Sequence, residues 1–184
     1  MTGRHRIYAG IGSRRAPGDV LELIERLARR LRQRGWTCRT GHAPGCDQAF
    51  ERGAGRQAEV YLPWPTFERS VPLQAGTIIE RPEPEAFDLA AALHPAWPRL
   101  GRGVRALVAR NGHQVLGRDL RTPVSAVVCW TPDAATALRE ISPATGGTGQ
   151  ALRIACRHGI PILNLARPDH RKRAAEALED LARA

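Results

Sequence analysis

Short apolar runs alternate with helical patterns along most of the chain, and this alternation constrains the fold more than any other feature. A strand, a helix and a further strand form a βαβ unit, whose right-handed crossover pairs the two strands in parallel. Parallel sheets need helices on both faces. The pattern therefore predicts an α/β fold with an open, mostly parallel sheet of about five strands. The predicted strands are residues 6–10, 36–40, 58–63, 124–130 and 159–165.

The clearest helix lies between the first two strands. Val20, Ile24 and Leu27 recur at helical spacing from a start near Asp19, and Gly35 is expected to end the helix. Further helices are predicted from Asp47 to about Gly55, over 101–116, from the glycine-rich turn at 145–150 and over 169–184.

The segment from about 64 to 98 breaks the alternation. It is poorly patterned and contains six prolines, so we predict an irregular excursion with a short helix near 86–93. The whole chain, 1–184, is expected to form a single domain, because 184 residues bury a sufficient core without disulfide or metal staples.

Arginine dominates the charge of the chain. The formal net charge is +10 and the pI is about 11.0, which favours a phosphate-rich partner such as a nucleotide or a nucleic acid. Among 28 basic residues the only lysine is Lys172, a bias that a GC-rich genome explains equally well. Schiff-base and P-loop chemistry would both need Lys172, which follows no glycine loop, so both are disfavoured.

Four cysteines are scattered without a CxxC pair, which indicates neither a zinc site nor a disulfide framework. No apolar stretch approaches the roughly 20 residues of a membrane span, and no apolar signal region follows the first arginines. We predict a cytoplasmic protein with no metal, no cofactor and no membrane partner. Self-association into a homo-oligomer stays open.

Three loops carry glycine and small polar residues at the predicted carboxyl ends of strands, where open parallel sheets bind ligands. They are residues 10–14, 40–47 and 145–150. The candidate ligand-binding residues are Gly10, Gly12, Ser13, Arg14, Gly41, Asp47, Arg110, Asn111, Gly146, Gly147, Thr148, Gly149 and Gln150.

The turn TGGTGQ at 145–150 is the strongest of these signals. A phosphate needs inward-pointing N–H groups, a positive helix end and no intruding Cβ, which Gly146, Gly147 and Gly149 would supply just before a helix. The alternative is a tight strand-to-helix turn without a ligand. Gly10 and Gly12 lack the third glycine of a dinucleotide fingerprint, so a conventional NAD site is not predicted.

Four polar residues have two interpretations each. Arg14 could clamp a phosphate in two-pronged fashion or lie solvated at the surface, and Asp47 could bind a ribose hydroxyl or cap its helix. Asn111 shares a predicted helix face with apolar residues, so its amide ties two loops together or faces the pocket. Arg110, one step around the helix, would reach ligand or solvent. His42 and His113 are interpreted as bystanders.

Four motifs together resemble the SLOG superfamily of Rossmann-like proteins, which includes the DNA-processing protein DprA and the phosphoribohydrolases called LOG. They are GIGSRRAP at 10–17, TGHAPGCD at 40–47, RNGHQVLG at 110–117 and TGGTGQALRIA at 145–155. The two middle motifs are most similar to DprA. The resemblance covers nearly the whole chain except about 64–98, and it implies a stand-alone, DprA-like, Rossmann-like core.

The last motif departs from LOG enzymes, which carry Pro-Gly-Gly-x-Gly-Thr-x-x-Glu. Thr145 replaces the proline, Gln150 replaces the threonine, and Arg153 stands where the glutamate that cleaves the N-glycosidic bond should be. The resemblance therefore implies phosphate binding without LOG-type hydrolysis.

The sequence leaves three functions open. The leading one is binding of a phosphate-bearing nucleotide, free or within single-stranded DNA, in a role linked to DNA processing, with uncertain catalysis. The second is a nucleotide N-glycosidase that uses another carboxylate, with Asp47, Glu51 and Glu80 as candidates. The third is an interaction module whose pocket no longer binds a ligand.

Overall fold

The computed structural model of the chain describes residues 6–183, with side chains through residue 178. Six strands form one sheet in which every pairing is parallel, in the order β4-β3-β2-β1-β5-β6. The strands are β1 (Ile7–Gly12), β2 (Thr37–Thr40), β3 (Ala58–Tyr61), β4 (Thr77–Ile79), β5 (Ala126–Trp130) and β6 (Ile162–Asn164). The predicted α/β, Rossmann-like fold is confirmed.

Six α-helices connect or flank the strands: α1 (Gly18–Gln33), α2 (Cys46–Ala54), α3 (Pro84–Leu93), α4 (Arg102–Leu116), α5 (Thr148–Arg157) and α6 (Pro168–Arg183). Val20, Ile24 and Leu27, which repeat at helical spacing in the sequence, all lie on the buried face of α1. Within residues 6–183, none of the helices has the length and apolar character that a membrane crossing needs.

The helices cover the two faces of the sheet. Buried side chains of α1, α2 and α6 pack with Tyr8, Cys38 and Val60 on one face. Buried side chains of α4 and α5 pack with Ala9 and Val127 on the other, and α3 packs against α4 there. Successive residues of a strand point to opposite faces, so Tyr8 and Ala9 serve different cores. The prediction of helices on both faces is confirmed.

The prediction missed β4, which makes the sheet six-stranded rather than about five-stranded. This strand has only three residues, lies at the edge beside β3, and leaves Ile78 43% exposed. It pairs with β3, and its three β-branched residues are too short a run to predict a strand within a proline-rich segment. The helix predicted near 86–93 is present as α3.

Candidate functional site

A cavity of about 370 Å³ lies at the carboxyl end of the sheet, where the direction of strand succession reverses between β1 and β5. The loop after β1 leads to α1 on one face, and the loop after β5 leads to α5 on the other, so the two loops diverge and leave a crevice. The lining consists of residues 11–15, Ala43, Asp47, residues 143–148, and Val104, Leu107, Val108, Arg110, Asn111 and Gln114 of α4.

The loops after β1 and β2 contact each other beside this cavity. Gly45 has a φ of 86°, and a Cβ there would lie 2.6 Å from the carbonyl oxygen of Ser13. Cys46 N donates a hydrogen bond to the same oxygen at 3.3 Å. Only glycine combines this left-handed backbone with so close an approach. Gly45 therefore fixes the position of Ser13 in the cavity wall.

Asp47 joins α2 to two other elements. Its Oδ1 accepts a hydrogen bond from Gly12 N at 3.2 Å, and its Oδ2 lies 3.6 Å from Arg110 Nη2. The proposed helix cap is not observed, since Gly45 occupies the cap position and no side chain bonds there. Burial raises the pKa of Asp47 to about 6, against the opposing effect of Arg110.

Arg110 is 6% exposed and lines the cavity. Of the two alternatives predicted for its side chain, it therefore lies at the pocket and not in solvent. Its Nη1 donates to the carbonyl oxygen of Gly41, and its guanidinium lies 5.1 Å from the centre of the Phe67 ring. With Asp47 at 3.6 Å, the charge of Arg110 is locally compensated.

Asn111 lines the pocket, and it ties helix α4 to one loop rather than two loops to each other. Its Nδ2 donates to the carbonyl oxygen of Gly147 at 2.8 Å, which ties α4 to the glycine-rich turn. The residue is 7% exposed and also lines the cavity. The turn is thus held at a fixed distance from α4.

The glycine-rich turn presents backbone donors at the N-terminus of α5. Gly146 N and Gly149 N are engaged by Pro143 O and Gly146 O, whereas Gly147 N and Thr148 N make no hydrogen bond within the described part of the chain. A Cβ built on Gly146 or Gly147 would have open space around it. Both residues line the cavity. The turn can therefore accept an anion at a positive helix end.

Asp133, which the sequence did not single out, anchors the segment before this turn. Its Oδ2 accepts hydrogen bonds from the Thr145 hydroxyl and, at 2.7 Å, from Ser142 Oγ. Partial burial works to raise the pKa of Asp133, but the hydroxyl bonds of Thr145 and Ser142 outweigh it and lower the pKa to about 2. The carboxylate thus holds both hydroxyl groups in place.

Four predicted ligand-binding residues lie outside the cavity lining. Gly10 packs beneath Phe50, with its Cβ position 2.9 Å from Cys38 Sγ, so core packing explains this glycine. A Cβ on Gly41 would collide with Arg110 and Gln114. Gly149 lies inside α5 rather than before it, and Gln150 is 1% exposed in the first turn of α5. For these four, contact with a ligand is not supported.

Gln114 is the main site residue that the sequence reasoning missed. It lines the cavity, is 1% exposed, and its Nε2 has no hydrogen-bond partner within residues 6–183. The signal was available, because Gln114 follows Arg110 by four residues and therefore shares its helix face. Arg15, on the loop after β1, is exposed and also lines the cavity.

The other candidate carboxylates, Glu51 and Glu80, and the two histidines lie outside the cavity lining. Glu51 is 2% exposed and is bound by His42 Nδ1 at 2.6 Å and by Gln74 N at 2.6 Å. Glu80 is exposed, and neither glutamate lines the cavity. His113 Nε2 accepts from Glu83 N at 3.0 Å. Within residues 6–183, no three His, Cys, Asp or Glu side chains are grouped as metal ligands.

Comparison with solved structures shows a similar fold in DNA processing protein A from Helicobacter pylori, which was studied for its single-stranded DNA binding mode. The TM-score is 0.53 at 17% identity, and the match covers 86% of this chain and 64% of that chain. This chain thus spans less than two thirds of the length of the neighbour. No family model and no curated protein matches the sequence. At the level of fold, the resemblance to DprA is confirmed.

Proposed function

We propose that the chain binds single-stranded DNA by holding one of its phosphates at the glycine-rich turn, in a role linked to DNA processing. The observation that carries the proposal is the pair of unengaged N–H groups of Gly147 and Thr148 at the wall of the cavity. Phosphate oxygens accept hydrogen bonds only, and a helix N-terminus favours their charge. The hydrogen bond from Asn111 Nδ2 to the carbonyl oxygen of Gly147 holds the turn that carries these donors in position.

Two exposed arginines stand at the entrance on the loop after β1. Arg14 and Arg15 both line the cavity, and Arg14 is held by Glu68 only at 3.8 Å with its side chain 54% exposed. Such a weak surface ion pair is readily exchanged for a phosphate. The arginines would therefore contact phosphates that flank the one in the turn.

A strand is favoured over a free nucleotide by charge and by the fold neighbour. The chain carries a formal net charge of +10, which is far more than one phosphate needs. The neighbour from Helicobacter pylori binds single-stranded DNA. A cavity of about 370 Å³ is near the lower end of the range for small-molecule sites, so it suits one nucleotide of a longer strand.

Binding of labelled oligonucleotides at two salt concentrations tests the proposal. Contacts to several phosphates predict an affinity that falls steeply with salt. Gly147→Val places a side chain over the donors and is expected to weaken binding at least tenfold. Gly101→Val is the matched control, because Gly101 also directly precedes a helix, has open space around it and does not line the cavity.

Three outcomes count against the proposal: no oligonucleotide binding by the wild-type protein, equal weakening by both valine variants, or full affinity in Gly147→Val. A free nucleotide that binds as tightly as an oligonucleotide, with little salt dependence, would replace the strand with a small ligand. Membership of the SLOG superfamily, a single domain over the whole chain and a cytoplasmic location remain proposals beside this one.

A second candidate function, cleavage of a nucleotide N-glycosidic bond, is favoured by one observation. Asp47 lines the cavity and burial raises its pKa to about 6, which suits a general acid near neutral pH. Release of free base from a nucleotide, detected by chromatography, would support it. Activity must then be lost in Asp47→Ala and kept in Glu80→Ala, because Glu80 is exposed and lies outside the cavity lining.

A further inference from the structure

A second groove lies between the C-terminal end of α3 and helix α5, and it shares no lining residue with the cavity at the carboxyl end of the sheet. Its volume is about 440 Å³. The apolar part of its lining consists of Ala92 and Leu93 of α3, Pro95, and Leu138 in the segment between β5 and α5. The groove is therefore a surface that the proposed phosphate site does not use.

The apolar lining of this groove is open to solvent. Leu138 is 61% exposed, more than any other large hydrophobic side chain among the described residues, and Ala92 and Pro95 are exposed as well. A single exposed leucine needs no explanation. Apolar side chains that line one groove together are typical of a surface that another molecule covers.

Arg153 adds an uncompensated charge to the groove. Its side chain is partly buried and makes no hydrogen bond or ion pair with any described residue, and burial lowers the pKa of its guanidinium. The nearby Glu140 is already occupied, because it accepts from Thr136 N and Ala137 N and pairs with Arg167. A partly buried charge without a counter-ion is unfavourable in the free protein, and a carboxylate at the groove would offset that.

The lining favours a protein segment over a nucleic acid. Arg153 and Arg157 supply positive charge and the lining contains no acidic side chain, so an anionic partner is favoured. Single-stranded nucleic acids are held by aromatic side chains that stack on bases, and no aromatic residue lines this groove. The four apolar residues instead match aliphatic side chains. The exposed Leu138 is covered better by a chain that runs past the groove than by a small molecule inside it.

We propose that the groove between α3 and α5 is a docking site for an acidic, leucine-containing segment of a partner protein. A carboxylate of the segment pairs with Arg153, and its aliphatic side chains pack on Leu93 and Leu138. Because the groove and the cavity share no residue, binding of the segment and binding of DNA do not compete for the same contacts.

Fluorescence anisotropy with a labelled peptide of three Asp-Asp-Leu-Leu repeats tests the docking site, beside peptides of Asp-Asp-Ser-Ser and Lys-Lys-Leu-Leu repeats. The wild type should bind the first peptide about tenfold more tightly than the second, because burial of leucine side chains contributes about that factor, and should not bind the third. Arg153→Gln and Leu138→Ser should each weaken binding of the first peptide about tenfold.

Each variant has a matched control outside the groove. Arg26→Gln removes the same charge from an exposed arginine of α1. Leu73→Ser makes the same change at a leucine that is 37% exposed. Both controls should keep the affinity of the wild type for the Asp-Asp-Leu-Leu peptide.

Cys156 reports where the peptide binds. It lines the groove and is partly exposed, whereas Cys38, Cys46 and Cys129 are buried. Burial raises the pKa of the Cys156 thiol, so its alkylation is slow and is best followed at mildly alkaline pH. The Asp-Asp-Leu-Leu peptide should protect Cys156 from alkylation in the wild type, and the protection should be lost in Arg153→Gln.

The outcomes separate docking from general attraction to a basic protein. Equal weakening by Arg153→Gln and Arg26→Gln, or equal binding of the leucine and serine peptides, would show a response to charge alone and overturn the proposal. Peptide binding that leaves Cys156 unprotected places the peptide elsewhere and overturns it too. An oligonucleotide that protects Cys156 as strongly as the peptide would make the groove a nucleic-acid surface instead. A wild type that binds none of the peptides also overturns the docking site, while oligonucleotide binding that depends on Gly147 would still stand.

Discussion

Arg110 Nη2 lies 3.6 Å from Asp47 Oδ2, and this buried ion pair joins α4 to α2 across the carboxyl end of the sheet. The same Asp47 carboxylate accepts from Gly12 N, and the same Arg110 guanidinium donates to Gly41 O. The side chains of Asp47 and Arg110 thus connect the carboxyl ends of β1 and β2 to helix α4. The cavity wall depends on this pair for its shape.

Removal of Arg110 is expected to destabilise the protein. Arg110→Met leaves the Asp47 charge buried without its partner, which typically costs about 3–5 kcal/mol of unfolding free energy. Because Arg110 lowers the pKa of Asp47, the variant should also raise that pKa above its native value of about 6. Urea unfolding measures the first effect, and a carboxylate NMR titration measures the second.

The double variant Asp47→Asn/Arg110→Met supplies the control. Without either charge, the desolvation cost disappears and most of the lost stability should return. Additive losses in the double variant would show that the two side chains act independently, contrary to the ion pair described above.

Acid should loosen the segment before the glycine-rich turn through Asp133. Its folded pKa of about 2 lies below the ordinary 3.8, so the folded state binds fewer protons and the stabilisation is present above about pH 4. It is lost as the pH falls toward 2. We expect about 1 kcal/mol, since the side chain is partly exposed and solvent screens part of the effect.

Asp133→Asn tests this assignment by urea unfolding at several pH values. The variant should be less stable than the wild type at pH 7, and the difference should vanish near pH 2. Glu22→Gln, a change at an exposed carboxylate of α1, is the control and should leave the stability at pH 7 unchanged. A constant difference between Asp133→Asn and the wild type across the pH range would contradict the assignment.

The fold was predictable wherever burial imposes a period on the sequence. Helix α1 shows this most clearly, because its buried Val20, Ile24 and Leu27 repeat at helical spacing. Strand β4 was missed because a run of three residues is too short to show a period, although Thr77, Ile78 and Ile79 are all β-branched residues that favour strands.

The candidate site was predictable in outline and not in detail. Glycine content located the loops, but it cannot distinguish the packed Gly10 from the open Gly147. That distinction depends on Phe50, which is forty residues away from Gly10 in the chain. Gln114 was not predicted, although helix periodicity places it on the same helix face as Arg110, which was.

Glu51 is expected to act in structure rather than in chemistry. Its carboxylate binds His42 Nδ1 and Gln74 N, and His42 Nε2 lies 3.2 Å from Val71 O. These contacts hold the segment before β4 against α2. Glu51→Gln should cost about 2 kcal/mol, the worth of hydrogen bonds to a charged group. Hydrogen exchange should show faster exchange at Gln74, whereas Glu80→Gln, at an exposed residue, should change neither measurement. Unchanged hydrogen exchange at Gln74 in Glu51→Gln would contradict the proposed structural role of Glu51.

Two glycine-to-alanine variants should separate packing from ligand access in the absence of any ligand. Gly10→Ala places a Cβ 2.6 Å from Phe50 Cδ1 and 2.9 Å from Cys38 Sγ, and such overpacking typically costs about 1–3 kcal/mol. Gly147→Ala adds a methyl group in open space on a backbone with φ −60° and ψ −26°, which alanine adopts without strain, so stability should change by less than about 0.5 kcal/mol. Urea unfolding of both variants measures the contrast. A large loss in Gly147→Ala would mean that folding itself requires this glycine, and the open space at the turn would no longer support a phosphate site.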